Sequence, residues 1–357
     1  KSVNKSRYHW ITGAFVFRQT INRKVDLSRF TDTTRHLTNS GIPTQGIAFY
    51  HQSTLDLLQG LSCSVGLRYD YEHARCDFSK VQQPLNGNGE TKSLEQFNRS
   101  LHFGQFTPRF SMQYLSSHNQ LFYASVSKGY KAGGFNVSFL NNDDYLYSPE
   151  YNWNYEIGTK LSFLNNRLSA DLSLFYIDWR NQQITNTIPT VGNVIRNAGR
   201  SRNKGIEASF QARPTKSWMM YMNYGYTDAR FVHYQKEERG ILKDYEGNYL
   251  PMVPRHTFSL TTGYSFYDIC SWIDRLTLNA GVSVTGPIYW YEDNQAKQSP
   301  YALVNLRISI NKGCFTWEAW SKNLTNTDYL SYYFVTSKAY AQKGKPITLG
   351  TSVSISL

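Results

Sequence analysis

Between Arg275 and Thr285 every second residue is apolar. Leu276, Leu278, Ala280, Val282 and Val284 share one face, and Thr277, Asn279, Gly281, Ser283 and Thr285 share the other. A period of two is the mark of a strand whose faces meet different surroundings. It returns in Asn166 to Ile177, where Leu168, Ala170, Leu172, Leu174 and Tyr176 oppose Ser169, Asp171 and Ser173. It returns again with Phe258, Leu260, Thr262, Tyr264 and Phe266, and with Ile206, Ala208, Phe210 and Ala212. No stretch of the 357 residues approaches the roughly 18 consecutive apolar residues that a spanning helix needs. Where such strands meet lipid, only a closed barrel spans it, because hydrocarbon tolerates no unpaired backbone polar group.

A water-soluble sandwich also alternates, so two further features are needed to decide. The polar faces carry charges and tiny residues, and apolar faces end in Trp179, Trp218, Tyr224 or Tyr226, as in the aromatic girdles of membrane barrels. With 27 Tyr, 20 Phe and 8 Trp the chain is 15% aromatic but only 18% charged, unlike an ordinary soluble core. The connections alternate in length, short on one side and long on the other, which a membrane barrel requires and a sandwich does not. Strands are expected near 8–18, 44–55, 61–74, 101–115, 120–130, 150–163 and 167–179. Seven more are expected near 203–213, 217–229, 255–267, 275–286, 301–311, 314–323 and 346–357. The long joins then include Gln19 to Pro43 and Arg75 to Ser100. The expected fold is an all-β, antiparallel transmembrane β-barrel occupying residues 1–357 with about fourteen strands. Glu156, Lys160, Glu207 and Arg213 alternate with the apolar row and should face its lumen.

A net charge of +12 admits nucleic acid, anionic lipid or an acidic ligand. Nucleic acid is disfavoured, since the Lys and Arg recur between strands and no binding motif accompanies them. Cys63, Cys76, Cys270 and Cys314 are too far apart for a zinc site or a dense disulfide framework. The eight His residues are scattered and suggest no metal ligand set. Because the chain opens on Lys1 without an apolar signal segment, it is expected to be a processed chain or the later part of a longer one.

Several fragments carry a further signal. Phe106-Thr107-Pro108-Arg109-Phe110 precedes Leu121 to Asn136, which includes Lys128-Gly129-Tyr130-Lys131-Ala132-Gly133-Gly134-Phe135-Asn136. Then follow Pro149-Glu150, Asn154 to Gly158, Asn197-Ala198-Gly199, Lys204 to Glu207, Val253-Pro254-Arg255-His256 and Lys322-Asn323-Leu324-Thr325-Asn326. Their order resembles the later barrel strands of TonB-dependent outer-membrane receptors over essentially the whole chain. The final segment, with Gly350, Val353, Ile355 and the terminal Leu357, is similar to the signal read by the outer-membrane assembly machinery, although a terminal Phe is more usual there.

The resemblance implies a barrel of twenty-two strands around an N-terminal plug that carries the TonB box. The plug and about eight strands would then lie in a missing N-terminal part or in a second polypeptide; a self-closed fourteen-strand pore is the third option. It also implies bacterial outer-membrane localisation, contact with membrane lipid and lipopolysaccharide, coupling to the TonB complex through the plug, and import of a scarce solute such as a ferric siderophore or a vitamin. No cofactor is implied.

The residues themselves suggest where a ligand meets the outer loops. Arg196, Arg200, Arg202 and Lys204 gather at one connection and suit an anionic ligand or lipopolysaccharide phosphates, or else form a solvated basic loop. Tyr289, Trp290 and Tyr291, with Tyr332 and Tyr333 of the last long loop, are candidates to stack on a ligand, or else pack the loops. A passive porin is the alternative to a receptor. An enzyme is disfavoured, since Ser, His and carboxylate do not meet at any strand end.

Overall fold

The computed structural model describes residues 7–28, 33–86, 89–188, 191–197, 199–238, 241–335 and 338–356. Fourteen strands form one antiparallel sheet, each paired with its chain neighbours. They are β1 (Tyr8–Leu27), β2 (Thr34–Leu58), β3 (Leu61–Pro84), β4 (Lys92–Leu115), β5 (Leu121–Lys131), β6 (Glu150–Phe163) and β7 (Leu168–Arg180). The rest are β8 (Arg200–Ala212), β9 (Trp218–His233), β10 (His256–Cys270), β11 (Ile273–Thr285), β12 (Tyr301–Lys312), β13 (Phe315–Lys322) and β14 (Thr348–Ile355). Among the described residues β1 ladders only with β2 and β14 only with β13, so the sheet carries two free edges.

The tight turns lie where the sequence puts them. Leu164, Asn165 and Asn166 turn at φ 52°, 55° and 65°, a conformation that Asn tolerates without much strain. Gly60 turns at φ +80°, and a side chain there would collide with the Leu115 carbonyl.

The registers keep the expected faces. Leu174 lies opposite Ile206 on one side and Ile157 on the other. Tyr226 and His256 continue the same row through β9 and β10, and Tyr224 opposite Phe258 lies in the next row of that face. This outward face is exposed: Phe110, Leu172, Leu278 and Ile308 are all open. On the opposite, inward face Lys160 is registered with Asp171, and Tyr123 donates to Glu156 Oε1 at 2.7 Å.

The first four strands correct the sequence reading. The expected loops Gln19–Pro43 and Arg75–Ser100 are instead the outer halves of β1 to β4, which run 20 to 25 residues. At about 3.3 Å per residue, β2 extends on the order of 80 Å, whereas roughly ten residues cross a bilayer. Two prolines lie within these strands. Pro43 lies within β2, and the ladder to β3 skips it, from Gly41 opposite Asp77 to Thr44 opposite Ala74. Pro108 continues opposite Leu67, while the ladder to β5 stops one residue away, at Arg109 opposite Ser127. A proline has no N–H to give, so pairing is interrupted on one side only.

The polarity of the faces also inverts along β3. Val65, Leu67, Tyr69 and Tyr71 are apolar outward, but above His73 the apolar residues are Ala74, Cys76 and Phe78 on the inward face. They pack with Phe135, and Phe97, Phe139 and Leu146 close over them. The projecting strands are thus a wall that buries its inner side against a loop.

Candidate functional site

That loop, residues 132–149, and the hairpin Gln183–Ile188 with Gly192–Asn197 fold over the inward face of the projecting strands. Gly133 and Gly134 make the approach possible: a side chain at either would run into the Tyr147 carbonyl or ring. Their φ values are not in the left-handed region, so close approach rather than an unusual turn explains them. Asn136 is buried and acts as a splice. Its Nδ2 donates to the carbonyls of Asp144 (2.8 Å) and Ile195 (2.7 Å), and its Oδ1 accepts from Ile195 N at 2.9 Å. Asn197 repeats the device, donating to the Ser148 and Asn181 carbonyls at 2.9 and 2.7 Å.

The predicted basic cluster is spread along this frame, and three of its four members are engaged within it. Arg196 holds Asp144 by two bonds, Nε at 2.7 Å and Nη2 at 2.8 Å. Arg196 beside Asp144 keeps that carboxyl below its ordinary 3.8. Arg200 binds Asp178 at 2.6 Å, and Arg180 binds the same carboxylate at 3.0 Å. Arg202 is exposed at the outer end of β8, and Lys204 lies 3.9 Å from Asp228.

The predicted aromatics do come together. Trp290 is 5% exposed and meets the rings of Tyr332 (6.4 Å, edge-on) and Tyr333 (6.5 Å). Tyr291 meets Tyr333 at 6.3 Å, and its hydroxyl accepts from Val335 N at 2.6 Å. Tyr289 instead stacks on Tyr249 at 5.5 Å, with Arg230 on that same ring at 4.0 Å. The cluster ties the loop after β11 to the loop after β13, with Tyr332 half-open to solvent.

Sequence reasoning missed the cavity between the wall and its loop. A space of about 790 Å³ lies on the inward face of β1 to β3 beneath the loop tips. Arg23, His36 and Lys80 bring cations or a proton-accepting ring to it, and Phe78, Val137 and Phe139 give it an apolar side. Arg23 and Lys80 have no ion-pair partner among the described residues. Glu95, registered opposite Lys80, accepts from Tyr145 Oη at 2.6 Å. Gly192 closes the rim at φ +109°, where only glycine sits without strain, and packs on Ser138. A cavity with two cations unpaired among the described residues and an aromatic surface is complementary in charge and polarity to an anionic, partly apolar molecule. Cross-strand register assembles it from three strands and two loops, so linear spacing carried no signal. Among the described residues no group of His, Cys, Asp and Glu is placed to hold a metal ion.

At the far end of the sheet, Gly350 faces Trp320, whose ring occupies the space a side chain would need. Val353 and Ile355 stand exposed on the outward face of β14; Leu357 lies outside the described residues.

A family model described as "TonB dependent receptor-like, beta-barrel" matches residues 4–326. The pesticin receptor of Yersinia pestis is 24% identical over 354 residues, covering 95% of this chain and 48% of that protein. A probable TonB-dependent siderophore receptor, PiuA of Acinetobacter baumannii, is 26% identical over 241 residues, covering 63% of this chain and 30% of that protein. Among solved structures, the ferric yersiniabactin uptake receptor FyuA from Yersinia pestis superposes with a TM-score of 0.82 at 20% identity. That match covers 99% of this chain and 52% of that one. The chain spans about half the length of the curated relatives it matches.

Proposed function

Because the chain belongs to the TonB-dependent receptor β-barrel family, we propose that it is barrel wall from an outer-membrane receptor that imports an anionic ferric chelate of the siderophore class. The observation that carries this reading is the cavity holding Arg23, His36 and Lys80 against Phe78 and Phe139. A ferric chelate with carboxylate or phenolate oxygens offers negative charge to the cations and a flat organic face to the rings. The names of the relatives, which include receptors for siderophores and ferric yersiniabactin, support the same class.

The outward apolar face lies in membrane lipid, with the long loops outside the cell and lipopolysaccharide around them. The free edges of β1 and β14 are completed by further strands, and a plug within the closed barrel couples it to the TonB complex. Arg196 and Arg200, through Asp144 and Asp178, brace the loop framework, and the exposed Arg202 is left to meet an anionic group from outside. Tyr332, with Trp290 and its neighbours, offers a further aromatic surface for the ligand between the loops after β11 and β13. Gly350, Val353, Ile355 and Leu357 serve barrel assembly. The protein transports and does not catalyse, and it needs no cofactor of its own.

Uptake of radio-iron supplied as a ferric siderophore tests this in cells that carry the whole protein. Saturable uptake that stops when the proton-motive force is collapsed is expected. Uptake indifferent to uncoupler would overturn the reading in favour of a passive pore. Reversing both cations, Arg23→Glu with Lys80→Glu, removes about 2 kcal/mol of charge-assisted bonding, so binding weakens roughly 30-fold.

A further inference from the structure

The inward face of the sheet holds a second recess, of about 600 Å³, on β10 to β13. One cross-strand row makes it: Gly263, Asn279, Arg307, Trp320 and Gly350 stand side by side on β10 to β14. Two side chains of that row lean apart. Asn279 lies over Gly263 and the Trp320 ring lies over Gly350, each in the space that a side chain on the glycine would need. Arg307 is left between them. In the next row toward the long loops, Gly281 keeps the floor open, since a Cβ there would meet nothing closer than Thr261 Oγ1 at 3.6 Å.

Two cations against one carboxylate give this space its charge. Lys322 lies 5.3 Å from the Trp320 ring and has no ion-pair partner among the described residues. Arg307 reaches Glu318 only at 3.9 Å, with more than half of its side chain open, so its guanidinium is still able to bind. Asn305 Oδ1 accepts from Asn323 N at 3.1 Å and does not compete for the cations. Asn279 adds an amide that both donates and accepts, and the indole adds a flat apolar surface. Cations, amide and ring together are complementary to a flat anion.

Depth separates this recess from the cavity. Leu278, Leu306 and Ile308, the outward neighbours of its row, belong to the exposed apolar band, whereas Arg23 and Lys80 lie on the projecting halves of β1 and β3. A solute that the cavity selects for negative charge and a ring therefore meets the same two properties again at the depth of the lipid-facing row. Passage needs sites that bind well enough to enter and weakly enough to leave, and a second, more open site of like chemistry eases the step out of the first.

We propose that the inward recess of β11 to β13 is a second anion site, a lower station that the anionic chelate occupies after it leaves the cavity. The proposal rests on the receptor reading for what moves along the inward face, but not on how that movement is energised.

Fluorosalicylate, a flat ring with a carboxylate and a phenol, is titrated into the whole protein in detergent and followed by fluorine NMR. Saturable binding should remain in Arg23→Glu with Lys80→Glu, where the cavity is disabled. Adding Arg307→Gln and Lys322→Gln should weaken that remainder at least tenfold. Gly281→Val in the same background, which fills the recess with a residue suited to a strand and keeps every charge, should do so too. No saturable binding in the cavity-disabled protein, the result if another segment of the protein fills the recess, overturns the proposal. So does binding that survives either change. In cells, Arg307→Gln with Lys322→Gln should cut the maximal rate of radio-iron uptake from a ferric phenolate siderophore roughly tenfold, with the half-saturating concentration as in wild type. An unchanged, uncoupler-sensitive rate overturns the lower station alone; wild-type uptake that ignores uncoupler sinks the receptor reading instead.

Discussion

Among single residues, burial and pairing set chemistry that composition does not reveal. Cys76 is 0% exposed among Ala74, Phe78 and Phe135, and burial, with Asp77 adding to it, pushes its thiol up to about 11. At about pH 8 that leaves on the order of 0.1% thiolate, so alkylation should run at least a hundredfold more slowly than at Cys270 and Cys314. Those two are exposed at the short-turn end. Mass spectrometry of the protein after brief iodoacetamide treatment checks this, and equal labelling of Cys76 would contradict the packing described. Asp144 gives the pH counterpart. Its folded value lies below the ordinary 3.8, chiefly through the Arg196 bonds. The stabilisation is therefore fully present above the ordinary value and is lost only as pH falls through the lowered one. Hydrogen exchange in residues 132–149 should be flat from about pH 8 to pH 5 once corrected for the intrinsic rate, with the loop opening only below about pH 4. Asp144→Asn should raise exchange there between about pH 5 and pH 8, at a cost of about 2 kcal/mol, and the difference from wild type should close as pH falls below about 4.

An element in this fold has two halves with opposite orientation. The lower half of β3 turns its apolar residues outward, and the upper half turns them inward against the loop. Phe78 is the centre of the upper contact, stacked on Phe97 at 4.8 Å and tilted on Phe139 at 5.2 Å. Phe78→Ala leaves a cavity and costs about 3 kcal/mol at that interface. The effect should be local. Limited proteolysis should nick the 132–149 loop faster, while the heat-modifiable mobility of the barrel on gels stays as in wild type. Loss of that mobility shift would mean that the loop contact supports the sheet itself. A strand reading based on apolar period alone ends at the inversion along β3, and the expected β1 to β4 fell some nine or ten residues short at their outer ends, β1 and β3 ending early and β2 and β4 beginning late. Pro43 strengthened that misreading, because a missing N–H is a good reason to end a strand unless the chain can leave one ladder bond unmade.

At the level of the whole molecule, one row of greasy side chains faces outward along fourteen strands. That row is the prerequisite for everything proposed about location. Leu172 lies in it, paired with Ala208 and Thr159, and Ser173 faces the other way. Leu172→Arg places a charge in hydrocarbon at a cost of about 2–4 kcal/mol near mid-bilayer, whereas a lumen substitution meets water. The amount of folded receptor in outer-membrane fractions should drop for Leu172→Arg and hold for Ser173→Arg. Equal loss from both would argue against a lipid-facing row.

The strand count, the order of neighbours and the short turns were legible in the chain, because a period of two and a turn residue such as Asn165 are local properties. The direction of each lower strand face was legible for the same reason: alternation needs only its own neighbours. The cavity at Arg23, His36 and Lys80 and the recess at Asn279, Arg307 and Lys322 were not legible. Each draws residues from separate strands through a register that only hydrogen-bonded pairing sets, and a shift of one residue would send every one of those side chains to the other side. The roles of Arg196 and Arg200 were hidden as well, since a basic cluster reads the same whether its charges meet a ligand or, as folding decided here, Asp144 and Asp178.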